Sequence, residues 1–178
     1  MKTLYAILIS AVIAGSLAEK PAAASSEPTI HLLIKAKRRV VRIETQDQMR
    51  DRIAVAHGHD PLQFAAMERI ESNGRASAER FEPGEVNRAR RLAPKASEKE
   101  IRYLATSHCS MQVMGWHEIL RHLPRGALKD QETCYEVAAH VLALCKEKRK
   151  GTDGSACYNG SQRYARLVAA EIRKTKKG

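Results

Sequence analysis

Residues 60–74 read DPLQFAAMERIESNG, and this stretch predicts the helix around which the fold is built. Asp60 followed by Pro61 is a helix-start signal, because an aspartate can cap the first turn and proline suits the first helical position. Asn73 and Gly74 mark the end, since both tolerate the left-handed conformation that terminates many helices. Apolar residues between these signals fall on almost every side of the helix, which is typical of a buried helix.

The last turn of this helix carries a glutamate, Glu71, between the angular positions of Phe64 and Met67. Apolar neighbours and the negative end of the helix dipole both disfavour an ionised carboxylate, so we expect a raised pKa for Glu71. A raised pKa suits a general acid that works near neutral pH. A solvated glutamate at a fraying helix end is the alternative, and Glu68 is a competing candidate acid on the same helix.

Capping and turn signals predict further helices along the chain, together with at most a small sheet. The predicted helices cover residues 46–57, 85–92, 97–105, 116–122, 130–146 and 161–174, and a short strand covers 78–82. In the long helix we expect Val137, Val141 and Leu144 on the buried side, and residues 158–160 are interpreted as a turn. The predicted fold class is therefore mainly α, a helical domain with at most a small β-hairpin or sheet.

The start of the chain predicts export. Lys2 precedes an apolar run over residues 4–17, and Ala22 to Ala24 offer the small residues of a cleavage site. Because this run is short for a membrane span, residues 1–24 are interpreted as a signal peptide cleaved near Ala24, with an uncleaved anchor as the alternative. We expect a periplasmic or secreted protein with no stable membrane span after cleavage.

Four cysteines in an exported chain predict disulfides rather than free thiols. Cys134 and Cys145 cannot pair, because eleven residues of one helix separate them by about 16 Å. We favour Cys145–Cys157, which closes a polar loop, together with Cys109–Cys134. The pairing of Cys109 with Cys145 and of Cys134 with Cys157 remains open. No spacing typical of a structural zinc site is present in the sequence, and we expect no metal or cofactor.

The formal net charge is +11, and removal of residues 1–24 leaves +10. A cytosolic protein this basic often binds nucleic acid, but an exported one meets anionic polymers of the cell envelope. The aromatic content of 4% also argues against a surface that stacks on bases. We therefore expect no nucleic-acid partner.

Three segments match, in the same order, the sequence pattern of a known enzyme family. Residues 54–72 resemble its "aa..hGxdP…aI..ES" segment, with Glu71 and Ser72 at the positions of the catalytic glutamate and its serine. Residues 107–114, SHCSMQVM, resemble its "S-x-G-x-x-Q-x-M" segment, and residues 158–160 resemble its "YNG" turn. The chain thus resembles the lysozyme-like lytic transglycosylases and the related bacterial N-acetylmuramidases.

This resemblance implies an α+β, lysozyme-like catalytic domain over residues 45–178, preceded by an N-terminal extension over 25–44. Enzymes of the family cleave the β-1,4 bond between N-acetylmuramic acid and N-acetylglucosamine in peptidoglycan glycan strands. One glutamate protonates the leaving oxygen and then acts as base on the 6-hydroxyl, which gives a 1,6-anhydro sugar. The resemblance assigns this role to Glu71. A hydrolysing muramidase and a non-catalytic envelope-binding module on the same fold are the alternatives.

The resemblance also implies the residues that bind substrate. Gln112 is expected to bond the N-acetyl group or ring substituents, and Tyr158 to line the groove. Glu82 is a candidate second carboxylate that holds a water, and Ser72 is expected to brace the end of the helix. The alternatives are a glutamine that bonds loop backbone, a core tyrosine that anchors the turn and a surface glutamate. Asn159 is interpreted as a residue that bonds its own turn.

The chain departs from the family pattern at one position, where Cys109 replaces a glycine. Glycine permits close packing of the backbone beside the sugar groove, and cysteine adds a side chain. A disulfide from Cys109 to Cys134 would hold the same loop in place. The small size and expected export lead us to expect that the enzyme serves an envelope apparatus such as a secretion system or a pilus.

Overall fold

Eight α-helices and three short strands make up residues 43–177, the part of the chain that the computed structural model describes. The helices are α1 (Gln46–Ala56), α2 (Pro61–Ser72), α3 (Val86–Leu92), α4 (Glu98–Leu104), α5 (His117–Leu120), α6 (Gln131–Lys148), α7 (Ser155–Asn159) and α8 (Gln162–Thr175). The strands are β1 (Glu79–Phe81), β2 (Thr106–His108) and β3 (Val113–Met114). The predicted signal peptide and nearly all of the predicted extension, 25–44, lie outside the described residues.

The central helix, α2, begins and ends as its sequence predicts. The carboxylate of Asp60 accepts a hydrogen bond from the amide of Leu62 at 2.9 Å, and Asn73 follows the helix with a left-handed φ of 57°. Phe64 and Met67 are fully buried, and α2 packs against α1 and α8. The helix therefore buries most of its apolar surface against neighbouring helices.

The strands form a three-stranded antiparallel sheet in the order β1-β2-β3. Arg80 pairs with Ser107 and Ser107 pairs with Met114, so the predicted strand at 78–82 packs edge to edge with the second family-like segment. The fold class is confirmed: the described chain is mainly helical with one small sheet.

Two hydrophobic clusters fill the interior. The larger one joins α1, α2, α6 and α8 and includes Phe64, Tyr135 and Val168. The smaller one surrounds Leu104 and Trp116 beside α3 and α4. The sheet and the loop after β2 lie between these clusters, so their side chains can face a groove at the junction.

Both favoured disulfides are present, and the alternative pairing is wrong. Cys109 is bonded to Cys134, with 6.3 Å between their Cα atoms, and Cys145 is bonded to Cys157, with 5.5 Å. The first bond ties the loop after β2 to α6. The second ties the end of α6 to α7.

Two details of the helix predictions are wrong. Leu144 is 40% exposed, because the buried face of α6 follows Tyr135, Ala138, Leu142 and Cys145 and Leu144 lies across the helix from Leu142. The segment Tyr158-Asn159-Gly160 is not an isolated turn: it is the end of α7, stopped by Gly160 with a φ of 76°. None of the helices in residues 43–177 is long and apolar enough to cross a membrane.

Candidate active site

A groove of about 780 Å³ lies at the junction of the two hydrophobic clusters. Its lining comes from residues 80–88, residues 107–120, the α6–α7 segment 141–160 and one side chain of α2, Glu71. The volume falls within the range of small-molecule and cofactor pockets. Four of the five residues predicted to act on or bind substrate line this groove: Glu71, Glu82, Gln112 and Tyr158.

Glu71 is partly buried at the C-terminal end of α2. Burial raises the pKa of its carboxyl and the nearby charge of Glu82 adds to this, while Tyr164, Asn159 and Arg80 act in the opposite direction. The net result is a raised pKa. The predicted direction of the shift agrees with the structure, and its main cause is burial.

Two neighbouring side chains on α7 lie beside this carboxyl. The amide nitrogen of Asn159 donates to Glu71 Oε1 at 3.4 Å, so the interpretation of Asn159 as a residue that bonds its own turn is wrong. The hydroxyl of Tyr158 donates to the carbonyl oxygen of Met111 at 3.0 Å. Burial and the charge of Glu71 raise the pKa of Tyr158 well above its ordinary value, so this hydroxyl stays protonated. Tyr158 therefore anchors α7 to the loop after β2 and lines the groove at the same time.

A further tyrosine, which the sequence patterns do not single out, lies on α8. The hydroxyl of Tyr164 is buried and forms no hydrogen bond of ordinary geometry with any residue in 43–177. It is nevertheless close enough to Glu71 to lower the pKa of that carboxyl, and burial and the charge of Glu71 raise its own pKa. A buried donor without a regular partner costs free energy, and this one lies beside the candidate acid.

Glu82 and Arg80 form a salt bridge at the edge of the groove. The side chain of Glu82 is 31% exposed, and that of Arg80 is 59% exposed. Glu82 is thus placed in the groove with Glu71, with a partner that neutralises it.

The amide of Gln112 is hydrogen-bonded to the surrounding loop. Its nitrogen donates to the carbonyl oxygens of Cys109 at 2.9 Å and Ala78 at 3.2 Å, and its oxygen accepts from the hydroxyl of Ser107 at 2.8 Å. This is the arrangement of the alternative interpretation, a glutamine that bonds loop backbone. Gln112 still lines the groove, and its oxygen retains a second lone pair for a ligand.

Ser72 does not line the groove. Its buried hydroxyl donates to the carbonyl oxygen of Ser110 at 2.7 Å and accepts from the amide of Arg75 at 3.1 Å. It therefore braces the end of α2 against the loop after β2, as the sequence interpretation expects.

Glu68 has the surroundings of a structural ion pair. Its buried carboxylate lies 3.0 Å from the guanidinium of Arg50 and 3.1 Å from the amide of Gln46, and it accepts a hydrogen bond from the hydroxyl of Tyr135. Burial acts to raise its pKa, but these bonds and one from Ser110 outweigh burial and lower it. An ionised, fully bonded carboxylate has no proton to give, so Glu68 does not fit the role of a general acid.

In the loop after β2, the backbone has the conformation that favours glycine at the position where the family pattern has a glycine and this chain has Cys109. Cys109 has a φ of 62° and Gln112 has a φ of 50°, both in the left-handed region that favours glycine. Cys109 keeps this conformation while bonded to Cys134. The disulfide thus holds the loop that positions Gln112.

At a second part of the groove lining, aromatic and charged residues form a stack. The guanidinium of Arg88 lies 3.7 Å from the centre of the Trp116 ring, and the ring of His117 lies 4.0 Å from it. The indole nitrogen of Trp116 donates to Glu85 at 3.0 Å. Burial and nearby Arg121 lower the pKa of His117 to about 3, so this imidazole is neutral.

Among residues 43–177, no three His, Cys, Asp or Glu side chains come together as metal ligands. No protein-family model, curated protein or solved structure matches this chain.

Proposed function

We propose that this protein is an exported lytic transglycosylase that cleaves the β-1,4 bond between N-acetylmuramic acid and N-acetylglucosamine in peptidoglycan. The observation that supports it most is a single partly buried carboxyl with a raised pKa, Glu71, inside a groove of about 780 Å³. A raised pKa increases the protonated fraction of this carboxyl at a given pH, which suits a group that gives a proton and takes one back during turnover. The two disulfides and the lack of a spanning helix in residues 43–177 are compatible with export.

In the proposed reaction Glu71 gives its proton to the glycosidic oxygen as the bond from that oxygen to C1 of the muramic sugar breaks. The carbonyl oxygen of the substrate's own N-acetyl group stabilises the positive charge at C1. The carboxylate of Glu71 then takes the proton of the 6-hydroxyl while that oxygen bonds to C1. The products are a 1,6-anhydro sugar and a free 4-hydroxyl, and Glu71 is protonated again.

The neighbours of Glu71 fit these two roles. Asn159 donates to one carboxylate oxygen and helps to orient the carboxyl, which lines the groove. Gln112 keeps the loop after β2 in shape and offers its oxygen to the substrate. The hydrogen bond from Tyr158 to Met111 ties α7 to the loop after β2 and so helps to fix this wall of the groove.

The two proposed reactions, transglycosylase and muramidase, differ in the role of Glu82. A hydrolase needs a base that activates water, and Glu82, the candidate for that role, is paired with Arg80 at the edge of the groove. We propose the 6-hydroxyl as the attacking group, and the fate of labelled water distinguishes the two reactions. A non-catalytic module does not require the raised pKa of Glu71, so we rank this function below both enzymes.

The reaction is tested by digesting purified peptidoglycan with the wild-type protein in ¹⁸O-labelled water and weighing the released muropeptides. We expect anhydro-muropeptides without the label, because no water enters the product. Labelled reducing ends would identify a muramidase and give Glu82 the role of second carboxylate. An absence of products from folded protein would favour the non-catalytic module.

A further inference from the structure

The net positive charge of the described chain is concentrated in its last helix and the two residues that follow it. Residues 43–177 contain 24 lysines and arginines against 18 aspartates and glutamates, whereas residues 162–177 contain six against one. The rest of the described chain is therefore close to neutral, with 18 against 17. An excess this local can act as a binding surface, which a uniform charge does not.

The cations lie on the side of α8 that faces away from the protein. Tyr164 and Val168 are buried against the larger hydrophobic cluster. Arg163, Arg166 and Arg173 follow the helical repeat on the opposite side, and Lys177 lies in the turn two residues after the helix ends; all four are exposed. At about 1.5 Å per residue the three arginines extend over roughly 15 Å. We call these four residues the basic face.

The basic face has no internal counter-charge. The one carboxylate of α8, Glu171, is engaged by Arg69 at 2.9 Å and by Lys174 at 3.2 Å. Within residues 43–177, none of the four residues of the basic face forms a salt bridge. Their charges are therefore available to an external anion.

The basic face is separate from the groove. The residues that line the groove include none of the described α8 residues 162–175, although α8 packs against α2 and α7, which carry Glu71 and Tyr158. A ligand on the outer side of α8 can therefore be bound while the groove is occupied.

We propose that the basic face is a docking surface for the carboxylate groups of the peptidoglycan network, distinct from the groove that cleaves the glycan. This inference rests on the proposed function, which identifies the polyanion that the protein meets. Docking holds the enzyme on an insoluble substrate and raises the local concentration of glycan strands at the groove. Long-range attraction needs no fixed register, so the bound enzyme can move along the network.

Two features favour this occupant over others. A helix that lies in a lipid interface needs a broad apolar face, and the outer side of α8 has one large apolar side chain, Leu167, which is 47% exposed. A nucleic-acid surface commonly includes aromatic side chains for stacking, and the aromatic residue of α8, Tyr164, is buried.

The test is co-sedimentation of the full chain with purified peptidoglycan sacculi over a series of salt concentrations. Glu71→Gln is present in every sample so that the sacculi are not digested. The test variant replaces Arg163, Arg166, Arg173 and Lys177 by Gln. A matched control replaces four exposed cations elsewhere, Arg91, Lys95, Lys99 and Lys150, and so removes the same charge.

We expect the test variant to bind sacculi at least about tenfold more weakly and with a shallower dependence on salt, because each cation in contact with the polyanion displaces a counterion. The control should stay within about twofold. Equal losses in both variants would reduce the effect to net charge and overturn the proposal, and so would unchanged binding of the test variant.

Two further measurements test whether the basic face prefers another ligand and whether the substitutions disturb the fold. Tighter binding of the wild type to anionic phospholipid vesicles or duplex DNA than to sacculi, lost in the test variant, would also overturn the proposal. The same four substitutions with Glu71 retained should leave cleavage of short soluble glycans and the thermal unfolding temperature unchanged. Failure of the proposed function is seen separately, as an absence of cleavage products from the wild type.

Discussion

Glu68 and Glu71 lie about one turn apart on α2, yet their surroundings have opposite effects. Glu68 meets Arg50, Gln46 and Tyr135, whose hydrogen bonds favour the ionised form. Glu71 meets one distant amide donor, and burial raises its pKa. Hydrogen bonds to the charged form outweigh burial in the first case and do not in the second. The residue that can act as an acid is therefore chosen by packing around the helix.

We predict that Glu68→Gln lowers the free energy of unfolding by roughly 3 kcal/mol, because it breaks a buried ion pair that ties α1 to α2. The pKa of Glu68 is lowered in the folded state, so its contribution is present above the ordinary glutamate pKa and is lost as pH falls through the folded value. Urea unfolding at several pH values should show the variant approaching the wild type in acid. The specific activity of folded protein should be retained, and its complete loss would contradict a structural role for Glu68.

Tyr164→Phe is predicted to change the pH dependence of cleavage. The hydroxyl lowers the pKa of Glu71, so its removal should raise that pKa further and move the alkaline limb of the rate profile to higher pH. Tyr103→Phe is the control, since its hydroxyl bonds Glu118. An unchanged profile in Tyr164→Phe, with the fold intact, would show that the hydroxyl is only a packing group.

The helix boundaries were predictable because they depend on neighbouring residues. Thr45 and Ser97 form capping boxes with Gln48 and Glu100, and Asp130 caps α6, all within three residues along the chain. The salt bridge of Glu68 with Arg50 and the approach of α8 to α2 join residues far apart in sequence. No spacing rule predicts such contacts, so the approach of Tyr164 to Glu71 was missed and Glu68 stayed a competing candidate.

The motifs predicted which residues line the groove better than they predicted the hydrogen bonds that those residues form there. Glu71, Glu82, Gln112 and Tyr158 line one groove, because their segments meet at the junction of two clusters. The bonds of Gln112 to the carbonyls of Cys109 and Ala78 depend on a left-handed loop that contains no glycine. Sequence patterns predict the conformation of such a loop poorly, because cysteine and glutamine seldom adopt left-handed backbone angles.

At the scale of an element, we predict that α7 depends on the disulfide that ties it to α6. The double variant Cys145→Ser with Cys157→Ser should lose about 3 kcal/mol of stability, the amount expected for a loop of this length. Activity should fall further than stability explains, because α7 carries Asn159 and Tyr158 beside Glu71. Cleavage assays well below the melting temperature separate the two effects. Full activity in the folded variant would contradict this role of α7.

At the scale of the whole molecule, the groove and the basic face are separate surfaces, to which we propose separate functions. The groove lies between two hydrophobic clusters and holds one carboxyl with a raised pKa. Residues 162–177, which include α8, carry most of the excess positive charge of residues 43–177, and α8 lines no part of the groove. High salt is therefore expected to weaken attachment to sacculi much more than cleavage of short soluble glycans, because screening acts mainly on exposed charges. Equal salt dependence of the two would contradict this division.

The central claim, that Glu71 is the catalytic acid, is tested most directly by mass spectrometry of purified peptidoglycan digested with three proteins: wild type, Glu71→Gln and Glu82→Gln. Gln replaces the carboxyl with a group of similar size that has no acidic proton, so the fold should persist. We predict anhydro-muropeptides from the wild type and from Glu82→Gln, and a loss of at least about a hundredfold in Glu71→Gln. Anhydro-muropeptides from folded Glu71→Gln at a rate near that of the wild type would contradict the account.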